Sequence, residues 1–386
     1  KEIYPYVTEG IGEDFLPDNV NFDTIDHFEQ VTDKDAAIYT RRIAREEGIF
    51  AGNSAGSAMA GLEQMKHLFK EGDVVVVIFH DHGTRYLAKM FNDDWMRYVG
   101  SMLYRKPMEV QPGVWSAIGA TAPPTYENSG HNNNVSFVIG TDAVLVVNAS
   151  DNYLLAESLH QEINAITNLP VKYVVLENGQ GHAMLGMNYW QQEGAQVIAH
   201  IDTADVIEAH GQQILERMQF RNRDKAMGTQ LSTADITFDT VHEIDLGNMK
   251  VQIQYLGPSH SPGDTQVWLP DRKLMIAGDL AFHERLLPVF DDSDTAGWID
   301  TWESFEALQP EVVIPGHGHP TTIDVVRQWT IGYLQYMRSQ VAQILDNGGS
   351  LIDAYNIDQS AFSHLDTFDE LAGLNADRIY RAMEFE

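Results

Sequence analysis

Three apolar runs, each closed by a Gly- or Pro-framed turn that holds a potential metal ligand, restrict this chain more than any other feature. Val251 to Leu256 leads into Gly257-Pro258-Ser259-His260-Ser261-Pro262-Gly263-Asp264-Thr265. Leu274 to Ala277 leads into Gly278-Asp279-Leu280, and Val312 to Pro315 into Gly316-His317-Gly318. Runs of this kind read as buried strands, and the Gly and Pro beside each ligand read as sharp turns. His260, Asp279 and His317 therefore read as three ligands at the ends of successive strands. Imidazoles and a carboxylate, with no thiol, suit Zn²⁺, Fe or Mn.

Composition narrows the function classes. With 386 residues, 44% of them apolar, the chain can bury two cores, and its length alone suggests two or three domains. It has 0 cysteines, which excludes a disulfide, a thiolate metal site and a cysteine nucleophile. The net charge of −31 argues against nucleic acid and anionic membrane as partners, since an acidic surface repels both. Its carboxylates are scattered, as in Phe290 to Asp300, and read as solvated surface. No apolar run approaches a membrane span and no signal peptide precedes the fold, so the cytoplasm is the default compartment.

The stretch "GPSHSPGDTQVWLPDRKLMIAGDLAF" (257–282) together with "VVIPGHGHP" (312–320) resembles the metallo-β-lactamase-fold hydrolases. The first stretch contains that family's third-histidine and bridging-aspartate motifs, and the second its last histidine. The C-terminal "TIGYLQYMRSQVAQILDNGGS" and "NADRIYRAMEFE" are similar to the family's tail, so the resemblance runs from about 108 to 386. It implies an αββα sandwich with metal at one edge, between the sheets. The expected layout is a linker at 105–112, the domain proper at 113–324, and C-terminal helices of the same domain at 325–386.

One motif departs from the family. His-x-His-x-Asp-His should follow the strand Val171 to Leu176, and this chain has Glu177-Asn178-Gly179-Gln180-Gly181-His182 instead. Only His182 is retained, because Gly179 and Gly181 have no side chain with which to ligate. Carried over position by position, the resemblance gives a first metal His260 and Asp279, with Glu177 as a replacement ligand. It gives a second metal His182, Asp279 and His317. Three protein ligands plus water is the ordinary catalytic count, so one ion (zinc, or iron or manganese) is expected rather than two. Glu177 reads either as a ligand or as a general base, and Asp279 as ligand and catalytic carboxylate. Asn148 stands where the family usually has an aspartate supporting the site and reads as drift. His200, His283 and His319 read as rim or supporting residues.

The first hundred residues tell a different story. "YVTEGIGEDFLP" (6–17), "EEGIFAGNSAGSAMAGL" (46–62) and "VVVVIFHDHGTRYLAKMFNDDWM" (74–96) resemble the C-terminal part of the cystathionine β-synthase and cysteine synthase catalytic domain, over about 1–104. Those enzymes use pyridoxal phosphate. Ser54 in Gly52-Asn53-Ser54-Ala55-Gly56 holds the place of the family's serine on the cofactor's pyridine nitrogen. The same five residues match a hydrolase nucleophile elbow, but triad partners in chain order are absent. Neither Lys66 nor Lys70 stands in a Schiff-base context, and pyridoxal phosphate is expected only if the missing N-terminal half is present.

Local patterns complete the expectations. Helices are expected at about Asp33 to Glu47, Ser57 to Lys70, 152–167 and 203–218, with a buried parallel strand from Val74 to Phe79. Residues 135–150 read as a hairpin around Gly140-Thr141-Asp142, and His131 to Asn134 as a polar turn. Tyr333, Tyr336, Met337, Val341 and Leu345 lie near helical spacing and read as core or as a homodimer face. The leading reading is a metal-dependent hydrolase of a small substrate, sulfur-containing if the neighbouring segment is a guide. The alternatives are a metal-free pseudoenzyme or binding module, and part of a bifunctional pyridoxal-phosphate synthase fusion.

Overall fold

The computed structural model describes Ile11, residues 20–92 and residues 102–386. Contacts gather the chain into two units, 1–101 and 102–386.

In the second unit, twelve strands form two sheets. The seven-stranded sheet runs in order β1 (Met108–Gln111), β2 (Val114–Ala117), β3 (Val135–Ile139), β4 (Val144–Val147), β5 (Val171–Val175), β6 (Gln196–His200), β7 (Ile236–Phe238). The five-stranded sheet runs β12 (Val312–His317), β11 (Leu274–Phe282), β10 (Gln266–Leu269), β9 (Lys250–Gln254), β8 (Val241–Asp245). Strands β4 to β7 are parallel, as are β11 and β12; the remaining pairs are antiparallel. The hairpin expected at 135–150 is β3 and β4, paired from Ser136–Val147 to Ile139–Val144.

The alternation of side chains along each strand explains the layering. Leu145 and Val147 meet Val251, Ile253, Leu274 and Ile276 between the sheets. Val144 and Val146 face the other way and pack with Ala156, Leu159 and Ile163 of the helix Tyr153–Ile166. Met275, Ala277 and Val313 turn outward from the second sheet onto the C-terminal helices. The result is the expected αββα sandwich. Tyr333, Met337 and Val341 of the helix Ile331–Asp346 are buried in that outer layer, with Tyr336 and Leu345 packed beside them, so this stripe is core.

The helices expected at 152–167 and 203–218 appear as Tyr153–Ile166 and Ile201–Asn222. The first is capped by Asn152, whose side chain accepts from the Leu155 N–H, and the second by His200, which accepts from the Asp202 N–H.

The first unit departs from expectation in three places. The helix expected over 33–47 is α-helical only over Asp33–Arg42 and then widens to a π turn at Ile43–Glu47 before Gly48. The helix expected from Ser57 begins earlier, at Asn53, and ends at Met65. Its small residues allow close packing: a Cβ on Gly56 would sit 2.0 Å from the Ala36 carbonyl oxygen on the facing helix. Lys66–Leu68 forms a 3₁₀ turn, and Phe69 and Lys70 lie beyond it.

The third correction concerns Val74 to Phe79, which is not a strand. Val74, Val76 and Ile78 are 89%, 83% and 68% exposed. A strand exists only through a neighbour that takes its ladder hydrogen bonds, and among the described residues no segment pairs with this one. The motif at 6–17 lies outside the described residues apart from Ile11, as do residues 93–96.

Candidate metal centre

Two loops, a short helix, a strand interior and a strand end converge at one edge of the sandwich. Glu177 follows β5 by two residues, and His182 lies on the short helix Gly181–Met184. His260 sits in the loop between β9 and β10, Asp279 within β11, and His317 at the end of β12. All five side chains are buried. The parallel pair β11–β12 loses regular register after Ile276, and there Asp279 turns inward beside the end of β12. Two glycines make room. A Cβ on Gly316 would fall 2.3 Å from Asp279 Oδ1, and one on Gly278 (φ +57°) would fall 2.3 Å from Glu177 Oε2.

The carboxylate of Asp279 is the hub. Its Oδ2 lies 3.4 Å from His182 Nε2 and 3.6 Å from His260 Nδ1, and its Oδ1 lies 3.3 Å from His317 Nε2. Glu177 Oε1 lies 3.0 Å from His182 Nε2. Ligand atoms of Glu177, His182 and Asp279 all fall within 4.8 Å of one another. Glu177 thus faces His182, a ligand of the expected second site, rather than completing a separate first site with His260.

Several supporting residues escape sequence reading. Asn178 Nδ2 donates to Asp279 Oδ2 at 3.2 Å and to Asp264 Oδ1 at 3.4 Å. Asp264 accepts from both the N–H and the hydroxyl of Ser261 and from the Ser259 hydroxyl, which fixes the His260 loop. His317 Nδ1 meets the Asn132 carbonyl oxygen at 2.5 Å, and Arg285 Nη1 lies 3.3 Å from the same nitrogen. The stretch His131 to Asn134 is therefore a buried latch on β12 rather than a surface turn. Asp264 stands inside the motif around His260, a visible signal; nothing local marks Asn132, Asn178 or Arg285.

Of the three histidines expected at the rim, His200 is a helix cap whose Nε2 meets the Asp239 carbonyl oxygen at 2.7 Å. His283 Nδ1 meets the His319 carbonyl oxygen, and His319 Nδ1 meets Glu284 Oε2, each at 2.8 Å.

Charge is the dominant force in the cluster. Burial pushes the Glu177 carboxyl up to about 7, helped by the neighbouring Asp279 and opposed by His182. Burial also works against a charged His182, but hydrogen bonding and attraction to Asp279 and Glu177 raise it to about 10. Asp279 stays well below the usual carboxylate range: burial opposes this, and His260, His317 and His182 outweigh it. His317 is lowered to about 4 by burial and by the Arg285 guanidinium.

The donor set fits a metal ion. Asp279 Oδ1 and His260 Nε2 are buried without a hydrogen-bond partner, so the His317 approach to Oδ1 is a contact rather than a hydrogen bond. Mixed imidazole and carboxylate donors around a central aspartate suit one Zn²⁺, Fe or Mn ion.

Pyridoxal phosphate does not fit the described part of the first unit. Ser54 is buried in the first turn of its helix, but Lys34, Lys66 and Lys70 are exposed, Lys66 pairs with Glu63, and Lys89 is half-buried. The described residues offer no buried amine for a Schiff base.

Comparison with known proteins agrees with this division. Residues 184–317 match the metallo-beta-lactamase superfamily and residues 1–81 the pyridoxal-phosphate dependent enzyme family. The first match contains His260, Asp279 and His317 and begins just after His182. A metallo-beta-lactamase from Pontibacter korlensis superposes with a TM-score of 0.50 at 19% identity, over 59% of this chain and 98% of that one, a likeness of fold. Cystathionine beta-synthase of Dictyostelium discoideum is 38% identical over 91 residues, which are 24% of this chain and 18% of that protein. The enzyme of Oryctolagus cuniculus is 33% identical over 114 residues, 30% of this chain and 21% of that protein. The chain thus spans about a fifth of the length of these curated relatives. In chain order, a segment similar to the pyridoxal-phosphate dependent enzyme family precedes a domain similar to the metallo-beta-lactamase superfamily.

Proposed function

We propose that residues 102–386 form a single-metal hydrolase acting on a small substrate. The convergence of Glu177, His182 and Asp279 ligand atoms within 4.8 Å, with His317 beside them, is the observation that supports this reading. In it, Glu177, His182, Asp279 and His317 hold one zinc, iron or manganese ion. An ion of this kind lowers the pKa of a bound water toward neutrality and polarises a substrate oxygen.

The chain's own residues do the rest. Glu177 would ligate through its carboxylate; unligated, burial and the neighbouring Asp279 raise that carboxyl to about 7, where it would instead suit a general base. Asn178 orients Asp279 through its 3.2 Å bond. Arg285, on the far side of His317, favours the neutral imidazole that ligation needs. A sulfur-containing substrate is the choice suggested by the neighbouring segment, by analogy of domains alone.

A second reading is a metal-free pseudoenzyme or binding module, and the 177–182 loop favours it. A Cβ on Gly179 would meet Val206 at 2.7 Å, so the loop has closed where the superfamily motif would place a histidine.

Metal content by mass spectrometry, on protein purified without added metal, separates the readings. About one ion per chain, lost in His317→Ala and reduced in Glu177→Gln, supports the hydrolase. No ion after incubation with zinc, iron or manganese in turn leaves the binding module.

A further inference from the structure

Asn148 lies at the end of β4 with φ +73°, and Asn134 ends the buried loop before β3. Both side chains are buried, and their orientations are fixed by backbone groups that only donate or only accept. Asn148 Oδ1 accepts the Glu177 N–H at 3.1 Å, and its Nδ2 donates to the Asn134 carbonyl oxygen at 3.3 Å. Asn134 Nδ2 in turn donates to the carbonyl oxygens of Pro315 at 2.8 Å and Gly318 at 2.7 Å, on either side of His317. The Asn134 N–H donates to the Gly316 carbonyl oxygen at 2.7 Å, and Asn134 Oδ1 accepts the Gly119 N–H at 3.3 Å. Two asparagines in series therefore join the Glu177 loop in one sheet to the His317 strand end in the other.

We propose that Asn148 and Asn134 are positioning residues of the metal centre, a crosslink between the sheets that fixes the Glu177 loop against the His317 strand end. This rests on the single-metal reading above. Asn148 is then a working part of the site rather than drift. A carboxylate at this position could still accept the Glu177 N–H, but it has no proton to donate to the Asn134 carbonyl oxygen. Residues that orient ligands change metal affinity by about 10- to 100-fold when removed.

The test is titration of the metal-free full chain with Zn²⁺ alone against a chromophoric chelator, with thermal unfolding of each metal-free protein alongside. The variants are Asn148→Gly, which suits a positive φ, Asn134→Ala, and the double variant. Asn148→Asp, which keeps the shape and the Glu177 bond, serves if the glycine variant does not fold. The expected result is about 10- to 100-fold weaker Zn²⁺ binding in each single variant. The double variant should be no weaker than the weaker single, because links in series fail together. Zn²⁺ affinity within twofold of the parent, whatever happens to the melting temperature, overturns the proposal and leaves the pair merely structural. A parent chain that binds no Zn²⁺, iron or manganese overturns the metal reading itself, a different and separately visible failure.

Discussion

Glu177 Oε1 and His182 Nε2 lie 3.0 Å apart inside the sandwich, with Asp279 Oδ2 3.4 Å from the same nitrogen. One protonated imidazole thus balances two buried carboxylates. A dication bound at these ligands would take over that role and expel the proton.

Metal affinity should therefore rise with pH. His182 is raised to about 10, so at neutral pH a metal must displace its proton. Zn²⁺ affinity should increase by up to about tenfold per pH unit from pH 7 to 9. Calorimetry at pH 8 to 9, above the Glu177 value of about 7, in two buffers of different ionisation enthalpy should show about one proton released per ion. Affinity that is flat over this range would show that His182 is already neutral.

Gly316→Ala should disturb the centre from beneath. Its new Cβ would meet Asp279 Oδ1 at 2.3 Å, and the β11–β12 pair leaves little room to move. We expect a loss of about 1–3 kcal/mol of stability, read by urea unfolding, together with loss of bound metal. Unchanged metal content would mean that Asp279 can shift without leaving the site.

His131 should make the second unit sensitive to mild acid. It is wholly buried, with Nδ1 accepting the Tyr104 N–H at 2.8 Å and Nε2 facing the Ala117 carbonyl oxygen at 3.3 Å. Burial lowers it to about 4 from 6.5, so the unfolded chain binds a proton that the folded one refuses. This stability is complete above pH 6.5 and is lost as pH falls toward 4, by about 3 kcal/mol in all. Urea unfolding at pH 7 and 5 should show the slope, and His131→Asn should reduce it. An equal slope in the variant would assign the acid sensitivity to other groups.

Val76→Lys should reduce self-association of the chain. Val74 to Phe79 exposes its valines and makes no backbone hydrogen bond among the described residues, which is the make-up of a sticky edge. Light scattering on heating should show a later onset in the lysine variant. The same onset in both proteins would locate the association elsewhere.

Much of the fold follows from local pattern. The runs before His260 and His317 are strands because alternation, β-branching and flanking glycines are properties of neighbouring residues. In contrast, β11 continues through Asp279 to Phe282, where a turn was expected. The helices Tyr153–Ile166 and Ile201–Asn222 are legible for the same reason. The stripe at Tyr333, Met337 and Val341 marked an apolar helix face, but only packing made it core. Val74 to Phe79 has the pattern of a buried strand and is none, because a strand is a relation between two segments and the second is not among the described residues. The partner of Glu177, the Asn148–Asn134 crosslink and the latch from Asn132 onto His317 join residues as much as 185 positions apart. No sequence period records such distances. Only the stacking of two sheets brings those side chains together, and that stacking decides which carboxylate faces which imidazole.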